Sequence, residues 1–212
     1  MQQKYPNTLG SERTVEIAFI EEMIVKYHNA DAEVLDVGGV PSDSRHFQPI
    51  YKIIEEEKIN YKVADFRGGH YAGDFVSYDF KKDKFDLIIF LSSLEHFPQC
   101  TESDKIYRHG EDKKGYEKAL SILKNNGVIL LTVPFGKHRW QEYHQNYDFQ
   151  GILNLTKGST IAESFTYRLM NDTEDKASEE WRLSDPLTMD DIIYSDRAYG
   201  VGCFVLKKDE KN

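Results

Sequence analysis

The apolar and polar positions divide this chain into alternating elements. From Ser11 to Tyr27 (SERTVEIAFIEEMIVKY), apolar residues recur at Val15, Phe19, Ile20, Met23 and Ile24. That spacing predicts an amphipathic helix, with Ser11 or Thr14 as its N-cap. Glu33–Val37 predicts a first strand, and PIYKIIEEEK (49–58) a helix with proline in its first turn. YKVADF (61–66) predicts a second strand, followed by a polar, glycine-containing link and a short element around Asp74–Val76. FDLIIFL (85–91) is apolar on both faces, as a central parallel strand is. GYEKALSIL (115–123) predicts a helix capped by Asn125-Asn126-Gly127, and VILLTV (128–133) another buried strand. A polar, aromatic stretch and a further helix follow, then two strands, ESFTYRLM (163–170) and VGCFVLK (201–207), separated by an irregular acidic stretch (171–198).

Repeated strand–helix alternation predicts an α/β sheet with helices on both faces. The closing pair has no crossover helix between its members, which predicts an antiparallel last strand.

Composition narrows the function. The 212 residues suffice for one larger domain with a core of its own. A net charge of −9, with only Lys81-Lys82 and Lys207-Lys208 as compact basic groups, argues against a nucleic-acid partner. Two cysteines without a CxxC spacing fit a reducing compartment. No apolar run approaches membrane-spanning length, and the opening MQQKYPNTLGSERT lacks the apolar segment of a secretory signal, so a cytoplasmic protein without membrane insertion is expected.

The stretch EVLDVGGVPS (33–42) carries the first chemical information. Two glycines directly after a strand suit a sharp turn or a close approach to the main chain, at the position where open α/β sheets bind ligands. A dinucleotide would require G-x-G-x-x-G, but here Gly38-Gly39 runs on into Val-Pro-Ser without a third glycine. Asp36, just before the turn, disfavours a pyrophosphate and suits a cation. S-adenosylmethionine, with its sulfonium and ammonium and no phosphate, is such a ligand.

At this point residues 30–207 resemble a class I, Rossmann-like S-adenosylmethionine-dependent methyltransferase. Asp36-Val37-Gly38-Gly39 matches the family's acid–glycine motif, departing from it at Val40-Pro41. Asp65, ending YKVADF, matches the second acid, which in the family binds the ribose hydroxyls. Asp74 in AGDFV, with Asp79 as a rival, matches the acid beside the adenine amino group, and Phe75 would lie against the ring. FDLIIFLSSLEHF matches the family's fourth strand; the segment after it, from Leu91 and Ser92 to His96, lies in relatives beside the transferable methyl. GYEKALSILKNNGVILLTVPFG matches the entry to the fifth strand, with Asn126 where glycine is usual. TVPFGK, the tyrosine-rich stretch after it and GSERTVE look similar to bacterial enzymes that modify sugars or surface polysaccharides.

The resemblance implies a three-layer Rossmann-like sheet, mostly parallel with an antiparallel last strand. Residues 1–28 would form an N-terminal helical segment and lid, and 29–212 the S-adenosylmethionine-binding domain. It implies methyl transfer to a small-molecule acceptor, a carbohydrate or nucleotide-sugar among the candidates, with oxygen favoured over nitrogen.

The displacement at carbon mainly needs alignment and exclusion of water, while a hydroxyl acceptor also needs a base. His96, just past the fourth strand, is the first candidate for that base, a loop-holding role being equally open. Glu95 would orient His96 or cap the next helix. His138, Trp140, Tyr143 and His144 follow the fifth strand on the same edge and are acceptor-binding candidates, with Tyr147 as further aromatic surface. Tyr5 and Arg13 are candidates for the lid, Arg13 reaching the cofactor's carboxylate. Asp104, His109, Glu111 and Asp112 lack zinc-ligand spacing, so no metal is expected. No Asn-Pro-Pro-Tyr motif is present, which argues against base methylation in DNA. Two other readings stand beside this one: a methyltransferase fold kept as a binding scaffold, and a nicotinamide oxidoreductase, which the missing third glycine disfavours.

Overall fold

The structure, a computed structural model, describes residues 11–29, 31–39, 48–82, 84–98, 108–140 (Trp140 by its backbone), 145–171, 179–189, 191–192 and 198–209. Tyr5, Asp104, Tyr143 and His144 lie outside the described residues.

In chain order the elements are α1 (Arg13–Tyr27), β1 (Glu33–Val37), α2 (Gln48–Glu56), β2 (Asn60–Asp65), and the two-residue strands β3 (Gly68–Gly69) and β4 (Tyr71–Ala72). Next come β5 (Phe85–Leu91), a 3₁₀ turn (Leu94–His96), α3 (Glu111–Ile122), β6 (Leu123–Pro134), β7 (Arg139–Trp140) and β8 (Gln145–Asn146). The chain closes with α4 (Phe149–Leu155), β9 (Ser159–Leu169), β10 (Trp181–Ser184), a 3₁₀ turn (Pro186–Thr188) and β11 (Gly200–Lys208).

Eight strands form one sheet in the order β10-β9-β11-β6-β5-β1-β2-β4. From β6 through β4 all pairings are parallel, and β11 runs antiparallel to both β6 and β9. The last strand is therefore antiparallel, as expected, but it is inserted between β6 and β9 instead of forming an edge. The edge is β10, a second antiparallel strand inside the stretch expected to be irregular.

Strand alternation sorts the core into two clusters. Val34, Leu87, Ile89, Leu91, Val128 and Leu130 pack with α1 residues Val15, Phe19, Ile20, Met23 and Ile24, and with Ile50 of α2. Leu35, Val37, Ile88, Phe90, Ile129 and Leu131 pack with Tyr116 and Ala119 of α3 and Ile152 of α4. Helices therefore cover both faces of the sheet.

Two further expectations are corrected. Asp74–Val76 forms a turn, built on hydrogen bonds to the carboxylate and carbonyl of Asp74, and the short strand lies earlier, at Tyr71–Ala72. Helix α3 begins at Glu111 and ends at Ile122, so Asn125-Asn126-Gly127 is no helix cap. Leu123 already pairs with Phe85, both buried. Two steps along β5 then correspond to five along β6, from Leu123 to Val128, and the polar residues between bulge outward while the register resets.

Candidate functional site

Parallel pairing brings the carboxyl ends of β1, β2, β5 and β6 to one edge of the sheet: Val37 lies beside Ala64, Asp36 beside Ile89, and Leu91 beside Thr132. The glycine turn leaves β1 there. Gly38 has φ +81, and its N–H donates to Ala64 O at 2.8 Å. A Cβ on Gly38 would stand 2.6 Å from Ser93 Cβ, and one on Gly39 2.7 Å from Asp36 Oδ2. Both glycines are thus dictated by space, and the first also by its left-handed backbone.

Asp36 lies behind this turn, 3 % exposed. Tyr61 donates its hydroxyl to Oδ2, while Oδ1 is buried without a hydrogen-bond partner among the described residues. Burial pushes the Asp36 carboxyl up to about 6; the Tyr61 hydrogen bond pulls it down and the Asp65 charge adds to the rise. Asp36 therefore acts on a ligand through its charge and the shape of the turn, from inside.

Asp65 ends β2 at the rim. Its Oδ1 accepts from the Arg67 N–H at 2.7 Å and from Arg67 Nε at 3.4 Å, and no bond to Oδ2 is made among the described residues. Asp74 is exposed, with Oδ1 taken up by Val76 N at 3.2 Å. Asp79 likewise accepts from Lys81 N at 2.9 Å. Phe75 is the residue expected against the cofactor's adenine ring. It is buried among Phe80, Phe90 and Phe97, at ring separations of 5.5, 6.0 and 6.0 Å, because that face of the sheet is filled by aromatic packing.

After β5 the chain turns sharply. Leu91 is buried on the α1 face, and Ser92 takes φ 42, a left-handed conformation unusual for a residue with a side chain. The Ser92 N–H donates to Thr132 Oγ1 at 3.0 Å, and its hydroxyl donates to Glu16 Oε1. Ser93 Oγ donates to Val37 O at 2.6 Å, tying this turn to the glycine turn.

Glu16 is fully buried. Besides Ser92, it accepts from Thr132 Oγ1 at 2.9 Å and from Arg13 Nη1 at 2.9 Å. Burial opposes the Arg13 charge, but the carboxylates of Glu16, Glu12 and Glu95 together outweigh it and raise its pKa. Sequence reasoning missed Glu16. Its signal is present: it stands four residues before Ile20 and three before Phe19, on the apolar stripe of α1, where a charge requires a buried partner.

Glu12, Arg13, Glu16, Ser92, Glu95 and His96 line a small hollow of about 60 Å³ at this edge, closed below by Pro134, Ala198 and Val201. Glu95 and His96 lie side by side but differ in setting. Glu95 is 2 % exposed and His96 53 %, with Nε2 to Oε1 at 3.9 Å. Glu95 Oε2 is buried, without a hydrogen-bond partner among the described residues. Burial pushes the Glu95 carboxyl up to about 7; His96 and a backbone hydrogen bond pull it down, Glu16 raises it and Arg13 lowers it.

The residues after β6 are only partly gathered here. Asp112, Gln145 and Tyr147 form a buried set, with Gln145 donating to Asp112 and the Tyr147 hydroxyl donating to the same carboxylate at 3.0 Å. This fixes Tyr147 as packing and binds Asp112 within the protein. His138 is exposed beside α4, where a Cβ on Gly151 would stand 3.8 Å from its Nδ1, and Trp140 sits in β7. Among the described residues no group of three His, Cys, Asp or Glu side chains could hold a metal ion, and no helix is long and apolar enough to cross a membrane.

No protein-family model and no curated protein sequence matches this chain. Solved structures do. The MccD protein aligns over 90 % of this chain and 96 % of its own, with TM-score 0.60 and 11 % identity. The [4+2]-cyclase SpnF aligns over 98 % and 88 %, with TM-score 0.59 and 13 % identity. The 1,6-didemethyltoxoflavin-N1-methyltransferase of Burkholderia thailandensis, solved with 1,6-didemethyltoxoflavin and S-adenosylhomocysteine bound, aligns over 95 % and 80 %, with TM-score 0.58 and 13 % identity. At such identities the likeness shows the fold alone: an α/β sheet, mostly parallel, shared with these structures.

Proposed function

We propose that this chain, with its class I methyltransferase fold, transfers a methyl group from S-adenosylmethionine to a hydroxyl of a small molecule. One observation carries the reading: a glycine turn pinned between Ser93 and the buried Asp36 carboxylate, with the rim carboxylate of Asp65 beside it. The fit to the cofactor rests on three features. The turn leaves no room for a Cβ at Gly38 or Gly39, so backbone can approach a ligand there. Asp36 puts negative charge behind it, which suits a sulfonium or ammonium and opposes a pyrophosphate. Asp65 Oδ2 is left to accept from ribose hydroxyls.

When bound, S-adenosylmethionine supplies an electrophilic methyl group. The chain's own residues would do the rest. Gly38, Gly39 and Asp65 hold the cofactor, with Asp74 at its adenine end, while Leu91 and Ser92 form the wall beside the reacting edge. Glu95 faces the acceptor. Its buried Oε2 calls for a hydrogen-bond donor, and with its carboxyl raised to about 7 it is poised to take a hydroxyl proton near neutral pH. His96, more exposed, sets the charge beside Glu95. Within residues 1–28, α1 supplies one wall of the site, the lid expected before it falling outside the described residues, and 29–212 supply the cofactor-binding sheet in a three-layer arrangement. His138 and Trp140, with Tyr143 and His144, are proposed to meet the acceptor. A carbohydrate or its nucleotide-linked precursor fits Glu95's requirement, because every hydroxyl is a donor.

A second reading, transfer to nitrogen, is supported by the N1-methyltransferase among the structural neighbours. A neutral amine can shed its proton after attack and needs no base beforehand. Calorimetric titration with S-adenosylhomocysteine tests the cofactor: absence of binding to folded protein would sink both readings. Turnover with paired libraries of sugars and amines then separates oxygen from nitrogen. Binding without any turnover would leave only a scaffold.

A further inference from the structure

We propose that Glu16, a buried carboxylate of α1, is the positioning residue of this site: it holds the left-handed turn at Ser92 with one oxygen and the Arg13 guanidinium with the other. The proposal deepens the methyl-transfer reading and rests on it for its effect on ligands, although its geometry stands independently.

Oε1 receives two hydroxyls, those of Ser92 and Thr132, from the ends of adjacent strands β5 and β6. Thr132 Oγ1 in turn receives the Ser92 N–H at 3.0 Å. Ser92 is thus bound to Glu16 through its side chain directly and through its backbone by way of Thr132. A residue with a Cβ holds φ 42 against a steric cost, which persists only where the surroundings over-determine the backbone, and these bonds do so. The next residue, Ser93, holds Val37 O and stands against Gly38, so the geometry reaches the glycine turn. Glu95 follows two residues later. Oε2 of Glu16 receives Arg13 Nη1 at 2.9 Å, which places a guanidinium at the hollow beside Glu12 and Glu95.

The two arms are separable by substitution. In Glu16→Gln, the amide oxygen still accepts from Ser92 and Thr132, but the NH₂ opposes Arg13 and the negative charge is gone. Glu16→Ala removes both arms. Glycine adopts a left-handed conformation without steric cost, so adding Ser92→Gly to Glu16→Ala should make the turn independent of the carboxylate. Loss of ordinary packing at Glu16 would not be rescued in this way.

The experiment reads amide hydrogen exchange at Ser92, Ser93 and Gly38, and the titration of the Glu95 carboxyl by ¹³C NMR, in wild type, Glu16→Gln, Glu16→Ala and Glu16→Ala/Ser92→Gly. Among the described residues, the groups facing Glu95 are Arg13 and Glu16 of α1, His96 beside it and Tyr147 after β8, with Glu12 lining the same hollow. Glu16→Gln should leave exchange at Ser92 as in wild type and move the Glu95 midpoint down, since a neighbouring anion is lost and Arg13 is released. Glu16→Ala should speed exchange at Ser92 about tenfold, the weight of one hydrogen bond to a charged group, and weaken S-adenosylhomocysteine binding. The double variant should restore slow exchange and part of the affinity. Unchanged exchange in Glu16→Ala, or no restoration in the double variant, would overturn the proposal. Should Glu16→Ala not fold, Glu16→Gln decides: an unmoved Glu95 midpoint overturns the Arg13 arm, and fast exchange at Ser92 overturns the hydroxyl arm. If wild type fails to bind S-adenosylhomocysteine while exchange responds as expected, the methyl-transfer reading falls and the role of Glu16 stands.

Discussion

Ser93 donates a 2.6 Å hydrogen bond to the carbonyl of Val37, and so locks the turn that ends β5 onto the turn that ends β1. The two strands are hydrogen-bonded neighbours, and their terminal turns behave as one piece of backbone. Gly38 is caught between them.

Gly38→Ala should therefore be severe. The left-handed φ of +81 costs a residue with a Cβ about 1–2 kcal/mol, and the new methyl would meet Ser93 Cβ at 2.6 Å. Urea denaturation should show lower stability, and calorimetry should show loss of S-adenosylhomocysteine binding. Wild-type affinity in the variant would mean that the turn does not shape the cofactor site.

Asp65→Ala should act on binding and little on stability, because the side chain stands at the rim and, among the described residues, holds only Arg67. Affinity for S-adenosylhomocysteine should fall by about 1–3 kcal/mol, the weight of hydroxyl groups left unpaired. The thermal midpoint should stay close to that of wild type.

Asp36 gives a pH-dependent outcome. Its folded-state pKa, about 6, lies above the ordinary carboxylate value, so the native state favours the protonated form. The associated stability is fully present below the unfolded pKa, near 4, and is lost as pH rises through about 6. Asp36→Asn should stabilise the protein by on the order of 2 kcal/mol at pH 8 and by little at pH 4, while weakening binding of the cationic cofactor. Denaturation midpoints at the two pH values check this; an equal effect at both would show that Asp36 is not a buried charge.

Glu95 and His96 can be separated by pH–rate profiles once an acceptor is in hand. With Glu95 as base, activity should rise through about pH 7 as the carboxyl ionises. Glu95→Gln should remove that limb and lower kcat by about 100-fold. His96→Ala should keep the limb but move it to higher pH, since His96 is among the groups that hold the Glu95 pKa down. A limb abolished by His96→Ala alone would make His96 the base.

Much of this site was legible along the chain because its signals are local. Asp36, Gly38 and Gly39 lie within four residues, Asp65 ends a strand that the residue pattern marks, and Glu95 follows another. Phe75 shows the limit. Phe75 is expected against the cofactor ring, and only the structure shows the aromatic cluster with Phe90 in which it is buried. The difference in burial between Glu95 and His96 was hidden as well, because adjacent residues differ in burial only through what packs on them from elsewhere.

By itself the sequence determined the order of the elements, the parallel centre of the sheet, the antiparallel sense of the last strand and the glycine turn, since periodicity and backbone conformation are properties of neighbouring residues. Tertiary structure alone decided that β11 enters between β6 and β9, that β10 forms the edge, and that Glu16 meets Ser92 and Thr132 across 76 and 116 residues of chain. Those outcomes depend on which surfaces meet once the sheet is assembled, and a buried carboxylate acquires its partners only when α1 packs down on the strand ends.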